Sequence, residues 1–154
     1  MADLLVNLLK LPALDHTAKQ DFCVRHAQPW ELTPVRHFVE TNFSRSWADE
    51  MSVGFARQPV SVFVAIIEGE LVGFAAYECT RRGFFGPTGV ISTARGQGIG
   101  KALLLASLSA LREMGYVYAI IGAAGPVHFY QRTVGAIVIP DSKPGIYTDR
   151  LKDS

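Results

Sequence analysis

Apolar residues in this chain fall into short continuous runs and into longer stretches with helical spacing. Residues 60–67 and 71–79 form two runs rich in β-branched side chains, and only residues 68–70 separate them. Runs of this kind predict strands, and the Glu-Gly-Glu spacer predicts a hairpin with Gly69 at positive φ. Two antiparallel strands are therefore expected in the middle of the chain.

A third strand is predicted over residues 84–91, after a turn at residues 81–83, and it contains an unusual pair. Gly86 and Pro87 stand inside the apolar run. Because proline cannot donate a hydrogen bond to a neighbouring strand, the pair predicts an irregularity at this point.

Residues 98–114 have the spacing of a long amphipathic helix. The predicted buried face holds four residues: Ile99, Leu103, Ala106 and Ala110. Gly115 can end the helix in the left-handed conformation. The apolar run at residues 116–121 then predicts a strand parallel to residues 84–91, because a crossover helix returns the chain in the same direction.

The remaining elements are shorter. We predict strands at residues 22–26 and 136–139 and helices at residues 31–43, 46–55 and 126–133. Ser46 is the expected N-cap of its helix, and residues 15–21 read as a polar connector. Residues 1–11 fit either a helix or a strand, because their leucines recur at helical spacing and also alternate.

The composition of the chain narrows the range of functions that it can have. The chain has 154 residues, of which 49% are hydrophobic, so a single folded domain is expected. Its 15 basic and 14 acidic residues nearly cancel and form no basic run, which argues against nucleic acid as a partner. Two cysteines and no metal-ligand spacing predict a metal-free protein of the reducing cytoplasm. Residues 1–11 are too short to span a membrane.

Three glycines alternate in the segment between the third strand and the long helix, which we call the glycine loop: Arg95, Gly96, Gln97, Gly98, Ile99, Gly100 and Lys101. Without side chains over a helix start, backbone N–H groups can face a phosphate closely. The spacing differs from the dinucleotide fingerprint, and Ala102 stands where a P-loop needs Ser or Thr. The alternative is that the glycines serve only tight packing.

From Arg95 the loop resembles R/Q-x-x-G-x-G/A, the pyrophosphate signature of the GNAT (Gcn5-related N-acetyltransferase) superfamily. The run Phe129-Tyr130-Gln131-Arg132, followed by Gly135, is similar to a second motif of that family. The resemblance implies one α/β domain over residues 1–154, with residues 1–20 as an N-terminal extension and residues 60–139 as the best-matched core. It also implies a mixed, mostly antiparallel sheet with a splayed parallel strand pair, flanked by helices.

The same resemblance implies an N-acetyltransferase that uses acetyl-CoA, without metal, and acts by direct attack of a primary amine in a ternary complex. The glycine loop would bind the pyrophosphate. Thr88, Gly89 and Val90 would contact the pantetheine arm, and the Val90 N–H would act as the oxyanion donor.

The resemblance also implies that Tyr130 is the general acid, because a phenol near the sulfur of coenzyme A can protonate the departing thiolate. The alternative is an aromatic pair with Phe129 that only packs on the sheet. Glu78 is a candidate base for the attacking amine, and Asp49 and Glu50 are others.

Two features depart from the family pattern. Ala123 stands where relatives usually carry an asparagine, and one residue is added between Tyr130 and Gly135. These departures lend weight to the alternative of an acyl-CoA-binding sensor or scaffold that catalyses nothing. The acceptor, a small-molecule or peptide amine, is not specified by the sequence. Apolar residues 1–11 would either cover the domain or join two subunits of a homodimer.

Overall fold

The computed structural model describes residues 1–13 and 21–152, which form one sheet with helices on both faces. The strands are β1 (Leu4–Asn7), β2 (Cys23–His26), β3 (Val62–Ile67), β4 (Glu70–Tyr77), β5 (Phe84–Val90), β6 (Tyr118–Ile121) and β7 (Ile137–Val138). The α-helices are α1 (Leu32–Asn42), α2 (Arg45–Ser52), α3 (Ile99–Glu113) and α4 (Val127–Val134). Short 3-10 helices lie at Leu8–Lys10, Pro29–Glu31, Val53–Ala56 and Ser92–Ala94.

The sheet is mixed, as predicted. Its strand order is β2-β3-β4-β5-β6-β1-β7, and only β5 and β6 run parallel among the described strand pairs. The predicted hairpin joins β3 to β4, with Gly69 at a φ of 81°. The predicted long helix becomes α3, and Gly115 follows it at a φ of 103°.

Two predicted details of the helices are wrong. Ser44, rather than Ser46, caps α2, because Ser44 is the extended residue before the helix and its Oγ accepts a hydrogen bond from the Trp47 N–H at 3.1 Å. On α3, Ile99 and Leu103 are buried as expected, whereas Ala106 and Ala110 are only half-buried. The polar connector predicted at residues 15–21 lies, except for its last residue, outside the described residues.

The N-terminal segment forms a strand inside the sheet. β1 lies between β6 and β7 and is antiparallel to both. Leu4, Val6 and Leu8 are fully buried, while the residues between them are half-buried. Of the two conformations that the sequence allowed, the strand is therefore correct over Leu4–Asn7, and its apolar residues cover the domain's own core.

The parallel pair separates soon after it begins. β5 and β6 are in register only at Phe84 with Ile120 and at Phe85 with Ile121. The next residue, Gly86, has a φ of 116°, and the pairing of β4 with β5 shifts register here. The predicted irregularity is confirmed. Beyond Phe85, β5 pairs with β4 alone among the described strands, so its other edge is open.

Two apolar clusters hold the sheet in place. One packs α3 and α4 against one face and includes Leu103, Leu108 and Phe85. The other packs α1 and α2 against the opposite face of β3 and β4 around Phe74. No helix in the described part of the chain is long and apolar enough to cross a lipid bilayer.

Candidate active site

The glycine loop presents free backbone donors at the start of α3. Gly98 is the N-cap residue, with a φ of 82°, and the first helical hydrogen bond runs from the Ala102 N–H to the Gly98 carbonyl at 3.0 Å. The N–H groups of residues 98–101 therefore precede the helical ladder. Among the described residues none of them has an acceptor. This end of the helix is suited to bind an anion.

Packing inside the protein does not explain these glycines. A Cβ at Gly96 or Gly98 would meet nothing within 4 Å, so no close neighbour requires glycine there. Both residues do have positive φ, which favours glycine. A Cβ at Gly100 would meet only a methyl group of Val90, at 4.0 Å, and Gly100 has no positive φ. The space above Gly100 is therefore open to a ligand.

Positive side chains flank the same donors. Arg95 and Lys101 are both exposed. The Arg95 Nε donates to the Val90 carbonyl at 3.2 Å, which holds the guanidinium at the base of the loop. Both cations add to the positive end of the α3 dipole. No cluster of potential metal ligands occurs among the described residues.

The open edge of β5 lies next to the glycine loop in the chain. The Ile91 N–H donates to the Val72 carbonyl of β4 at 2.9 Å. Because N–H groups alternate in direction along a strand, those of Val90 and Thr88 point away from β4, toward the edge that β6 has left. The Thr88 hydroxyl itself donates to the Phe74 carbonyl at 3.0 Å. An extended, amide-containing ligand can pair with this edge.

Gly89 differs from the loop glycines because a neighbouring side chain requires it. A Cβ at Gly89 would lie 2.5 Å from the Phe43 ring. Phe43 in turn packs against Trp47 and Phe74, with ring centroids 5.6 and 5.5 Å away. Gly89 therefore lets an aromatic cluster approach the strand backbone.

Tyr130 lies on α4 and points toward the sheet. Its side chain is buried and packs against Phe85 and Phe129, with ring centroids 6.3 and 5.3 Å away. Burial raises the pKa of Tyr130 from 10.0 to about 12, and the phenol is protonated at neutral pH at either value. Its hydroxyl has no partner among the described residues and is not sealed from solvent. His128 is exposed on another face of α4.

The two departures from the family pattern have clear structural settings. The Ala123 N–H donates to Asp3 Oδ1 at 2.7 Å, so the N-terminal segment fixes the end of β6. The residue added before Gly135 is contained in α4, which runs unbroken from Val127 to Val134. Gly135 then ends that helix with a φ of 66°.

Glu78 directly follows β4, at the turn that leads to β5. It is 3% exposed, and its Oε1 accepts a hydrogen bond from the Gly83 N–H. Its Oε2 lies 3.8 Å from Arg57 Nη1. Both oxygens therefore have partners that stabilise the turn between β4 and β5, and the carboxylate does not line the cavity described next.

A cavity of about 240 Å³ lies where β5 and β6 separate. Its walls come from distant parts of the sequence: Met1, Ser46, Trp47, Glu50, Thr80, Phe85, Gly86, Pro87, Gly122, Ala123, Tyr147 and Arg150. We call this space the interstrand cavity. It touches both the irregular part of β5 and the end of β6.

Glu50 supplies the carboxylate of the interstrand cavity. Its Oε1 accepts hydrogen bonds from the Thr80 hydroxyl and, at 2.5 Å, from the Tyr147 hydroxyl. Burial and the bond to Glu50 raise the pKa of Tyr147, so its hydroxyl remains a donor. Arg150 lies over the Tyr147 ring, 5.2 Å from its centroid.

Asp49 and Glu50 are both candidate bases from the sequence, and the structure places their side chains in different environments. Asp49 is exposed and pairs with Arg36 at 2.5 Å, whereas Glu50 faces the cavity. Sequence reasoning missed Thr80 and Tyr147 entirely. They lie 30 and 97 residues from Glu50, and no local pattern marks either of them.

Comparison with known families gives one match. A model of the acetyltransferase (GNAT) family matches residues 20–136, which is more than half of the chain. A search by sequence among curated proteins gives no match.

Several solved structures with similar folds are GCN5-related or GNAT-family acetyltransferases. A GCN5-related glucosamine N-acetyltransferase region of a fungal multi-domain GH3 β-N-acetylglucosaminidase aligns with a TM-score of 0.72 and 16% identity, over 90% of this chain and 19% of that one. A GCN5-related N-acetyltransferase from Sphaerobacter thermophilus aligns with a TM-score of 0.67 and 20% identity, over 90% of this chain and 48% of that one. A Brucella melitensis GNAT family acetyltransferase in complex with acetyl-CoA aligns with a TM-score of 0.56 and 21% identity, over 79% of this chain and 88% of that one. The chain thus spans about a fifth and about half of the first two structures.

Proposed function

Because the chain belongs to the acetyltransferase (GNAT) family, we propose that it transfers the acetyl group of acetyl-CoA to a primary amine, by direct attack in a ternary complex. One observation carries this proposal. The free N–H groups at the start of α3 stand beside a strand edge that no described strand occupies. A phosphate group and an amide-containing arm are the two parts of coenzyme A that these features suit.

The proposed coenzyme position follows from the direction of these donors. Residues 95–101 would hold the pyrophosphate, with Arg95 and Lys101 adding positive charge. The amides of the pantetheine arm would pair with the open edge at Thr88 and Val90. The Val90 N–H would then donate to the thioester oxygen, where negative charge develops during attack.

Tyr130 would act as the general acid. As the amine nitrogen bonds to the acetyl carbon, the carbon–sulfur bond breaks and its electron pair leaves with the sulfur. The Tyr130 hydroxyl would give its proton to that thiolate. One observation supports the role: the Tyr130 hydroxyl has no competing partner among the described residues.

A calorimetric titration with acetyl-CoA, beside desulfo-CoA and NAD, tests the coenzyme site. We expect both coenzyme A species to bind saturably and NAD not to bind, since the loop lacks the dinucleotide spacing. If acetyl-CoA does not bind, the proposed function is wrong and the glycine loop has another role.

Transfer to an amine separates the enzyme from a sensor or scaffold. With acetyl-CoA saturating, we expect release of free thiol that depends on an added primary amine. If acetyl-CoA binds but no amine in a broad panel is acetylated, the non-catalytic alternative is favoured.

A further inference from the structure

We propose that Glu50 binds the ammonium group of the acceptor, and that the acceptor is a small monoamine with an apolar body. This inference rests on the proposed function, since it names the substrate class of the same site. It begins from a carboxylate that lines the cavity and takes part in none of the described ion pairs.

Glu50 is half-buried and has a free oxygen. Both of its described hydrogen bonds end on Oε1, and no partner of Oε2 occurs among the described residues. The described ion pairs join Arg25 to Glu31, Arg36 to Asp49, Arg45 to Glu40 and Arg57 to Glu78, so none involves Glu50. A half-buried carboxylate without an ion-pair partner attracts a cation, and an ammonium group adds a charge-assisted hydrogen bond.

Two neutral hydroxyls hold this carboxylate from opposite parts of the chain. Thr80 comes from the turn after β4, and Tyr147 comes from the C-terminal segment. Because both bond to Oε1, the other oxygen is left for a ligand. Tyr147 is therefore a positioning residue: it orients Glu50 and does not itself need to touch the amine.

The charged side chains on the cavity wall favour an acceptor with a single cation. Glu50 and Arg150 are the charged side chains among the lining residues, and they have opposite signs. An ammonium on Glu50 satisfies the carboxylate, whereas a second ammonium on the same molecule would meet the Arg150 guanidinium. Like charges in a confined site repel, so a polyamine is disfavoured.

The size of the cavity and the chemistry of its other walls indicate that the acceptor has a compact, apolar body. Trp47, Phe85 and Pro87 line the cavity with carbon-rich surface. Its volume of about 240 Å³ is below the roughly 300 to 1,000 Å³ typical of sites for drug-sized ligands. An arylalkyl or alkyl monoamine fits this description.

Glu50 also receives a proton in the transfer. The bound ammonium first gives one proton to the Glu50 carboxylate, which passes it to solvent, because only the neutral amine has the lone pair that attacks. As the nitrogen bonds to the acetyl carbon it becomes acidic, and its second proton also passes to Glu50. The sulfur leaves with the electrons of the broken bond and takes a proton from Tyr130. The products are the N-acetylated amine and free coenzyme A; Glu50 then releases its proton to solvent, and the Tyr130 phenolate takes one up from solvent.

The test uses the full chain saturated with coenzyme A and titrated with 2-phenylethylamine. We expect saturable binding to the wild type, binding weakened at least tenfold in Glu50→Gln, and unchanged binding in the matched control Glu70→Gln, whose side chain is exposed at the start of β4. In turnover, Glu50→Gln should raise KM for the amine at least tenfold and also lower kcat. Tyr147→Phe should raise KM by a smaller factor.

Three results would overturn the inference. One is equal binding of 2-phenylethylamine to the wild type and Glu50→Gln, another is no binding to either, and the third is faster acetylation of spermidine or of a lysine-containing peptide. A parallel titration of each variant with acetyl-CoA keeps the two proposals apart. If acetyl-CoA binds normally and the amine results fail, only the acceptor assignment is wrong; if acetyl-CoA does not bind the wild type, the proposed function is wrong.

Discussion

The glycine loop and the interstrand cavity are built in opposite ways. The loop is seven consecutive residues, and its proposed ligand contacts are mainly backbone N–H groups at one helix end. The cavity draws its key groups from α2, the turn after β4 and the C-terminal segment, and these groups are side chains. A site made of contiguous backbone is visible in a sequence, whereas a site assembled by the fold is not.

The largest expected effect comes from filling the space above the glycine loop. Gly100→Glu places a carboxylate where the pyrophosphate is proposed to bind, so acetyl-CoA affinity should fall roughly 100-fold or more. The helix should tolerate the change, since a Cβ here meets only a Val90 methyl group and an acid suits a helix start. Calorimetry and thermal unfolding measure the two quantities.

The matched control adds the same charge at the other end of α3. Met114→Glu lies at an exposed position just past the helix and should leave acetyl-CoA affinity unchanged. If Gly100→Glu binds acetyl-CoA like the wild type, the loop does not hold the pyrophosphate.

Removing the Tyr130 hydroxyl distinguishes an effect on the chemical step from an effect on acetyl-CoA binding. Tyr130→Phe should lower kcat by about 100-fold, because the thiolate loses its proton donor. Acetyl-CoA affinity should stay the same, since the ring and its packing remain. Steady-state turnover beside calorimetry measures both, with the exposed Tyr118→Phe as the control. Full turnover of Tyr130→Phe at every pH would remove the tyrosine from the mechanism.

Gly89 and Gly100 should respond differently to the same substitution. Gly89→Ala forces a methyl group against the Phe43 ring, so the free energy of unfolding should fall by about 1 to 3 kcal/mol. Gly100→Ala meets no such contact and should leave stability equal or slightly higher. Denaturant unfolding compares them. Adding Phe43→Leu should recover part of the Gly89→Ala loss, and no recovery would mean that Phe43 is not the cause.

The smallest expected effect is a loss of stability at alkaline pH. Burial raises the pKa of Tyr130 from 10.0 to about 12, so between these values the unfolded chain releases a proton that the folded protein keeps. The stabilisation is complete below the lower value and is lost as pH rises toward the higher one. At pH 11 this tyrosine should account for about 1 kcal/mol of the loss.

Denaturant unfolding at pH 9 and pH 11 measures that loss. Tyr130→Phe should reduce it, whereas Tyr118→Phe should not. Equal pH dependence in Tyr130→Phe and the wild type would show that the phenol is not shielded as its burial indicates.

Most of the fold was predictable from local patterns. The β3–β4 hairpin, the break at Gly86 and α3 each follow from adjacent residues. The N-terminal segment was not predictable, because the same leucines satisfy two periodicities and only the partner strands β6 and β7 decide between them.

The two glutamates show where sequence reasoning about the site stops. Glu78 ends a predicted strand and Glu50 lies in a predicted helix, but neither local pattern shows which carboxylate has a partner. Tertiary contacts give Glu78 two partners in a buried turn and leave Glu50 with a free oxygen in a cavity. Their roles therefore depend on neighbours far away in the chain.

The sequence by itself determined the glycine loop, the strand-helix-strand unit around it and the family, because these depend on backbone conformation and on residues close together in the chain. The tertiary structure alone decided that β1 completes the sheet, that Gly89 is needed for packing, and that Glu50 meets Thr80 and Tyr147. The physical reason is that burial and side-chain hydrogen bonds are set by contacts between distant segments, which no local pattern encodes.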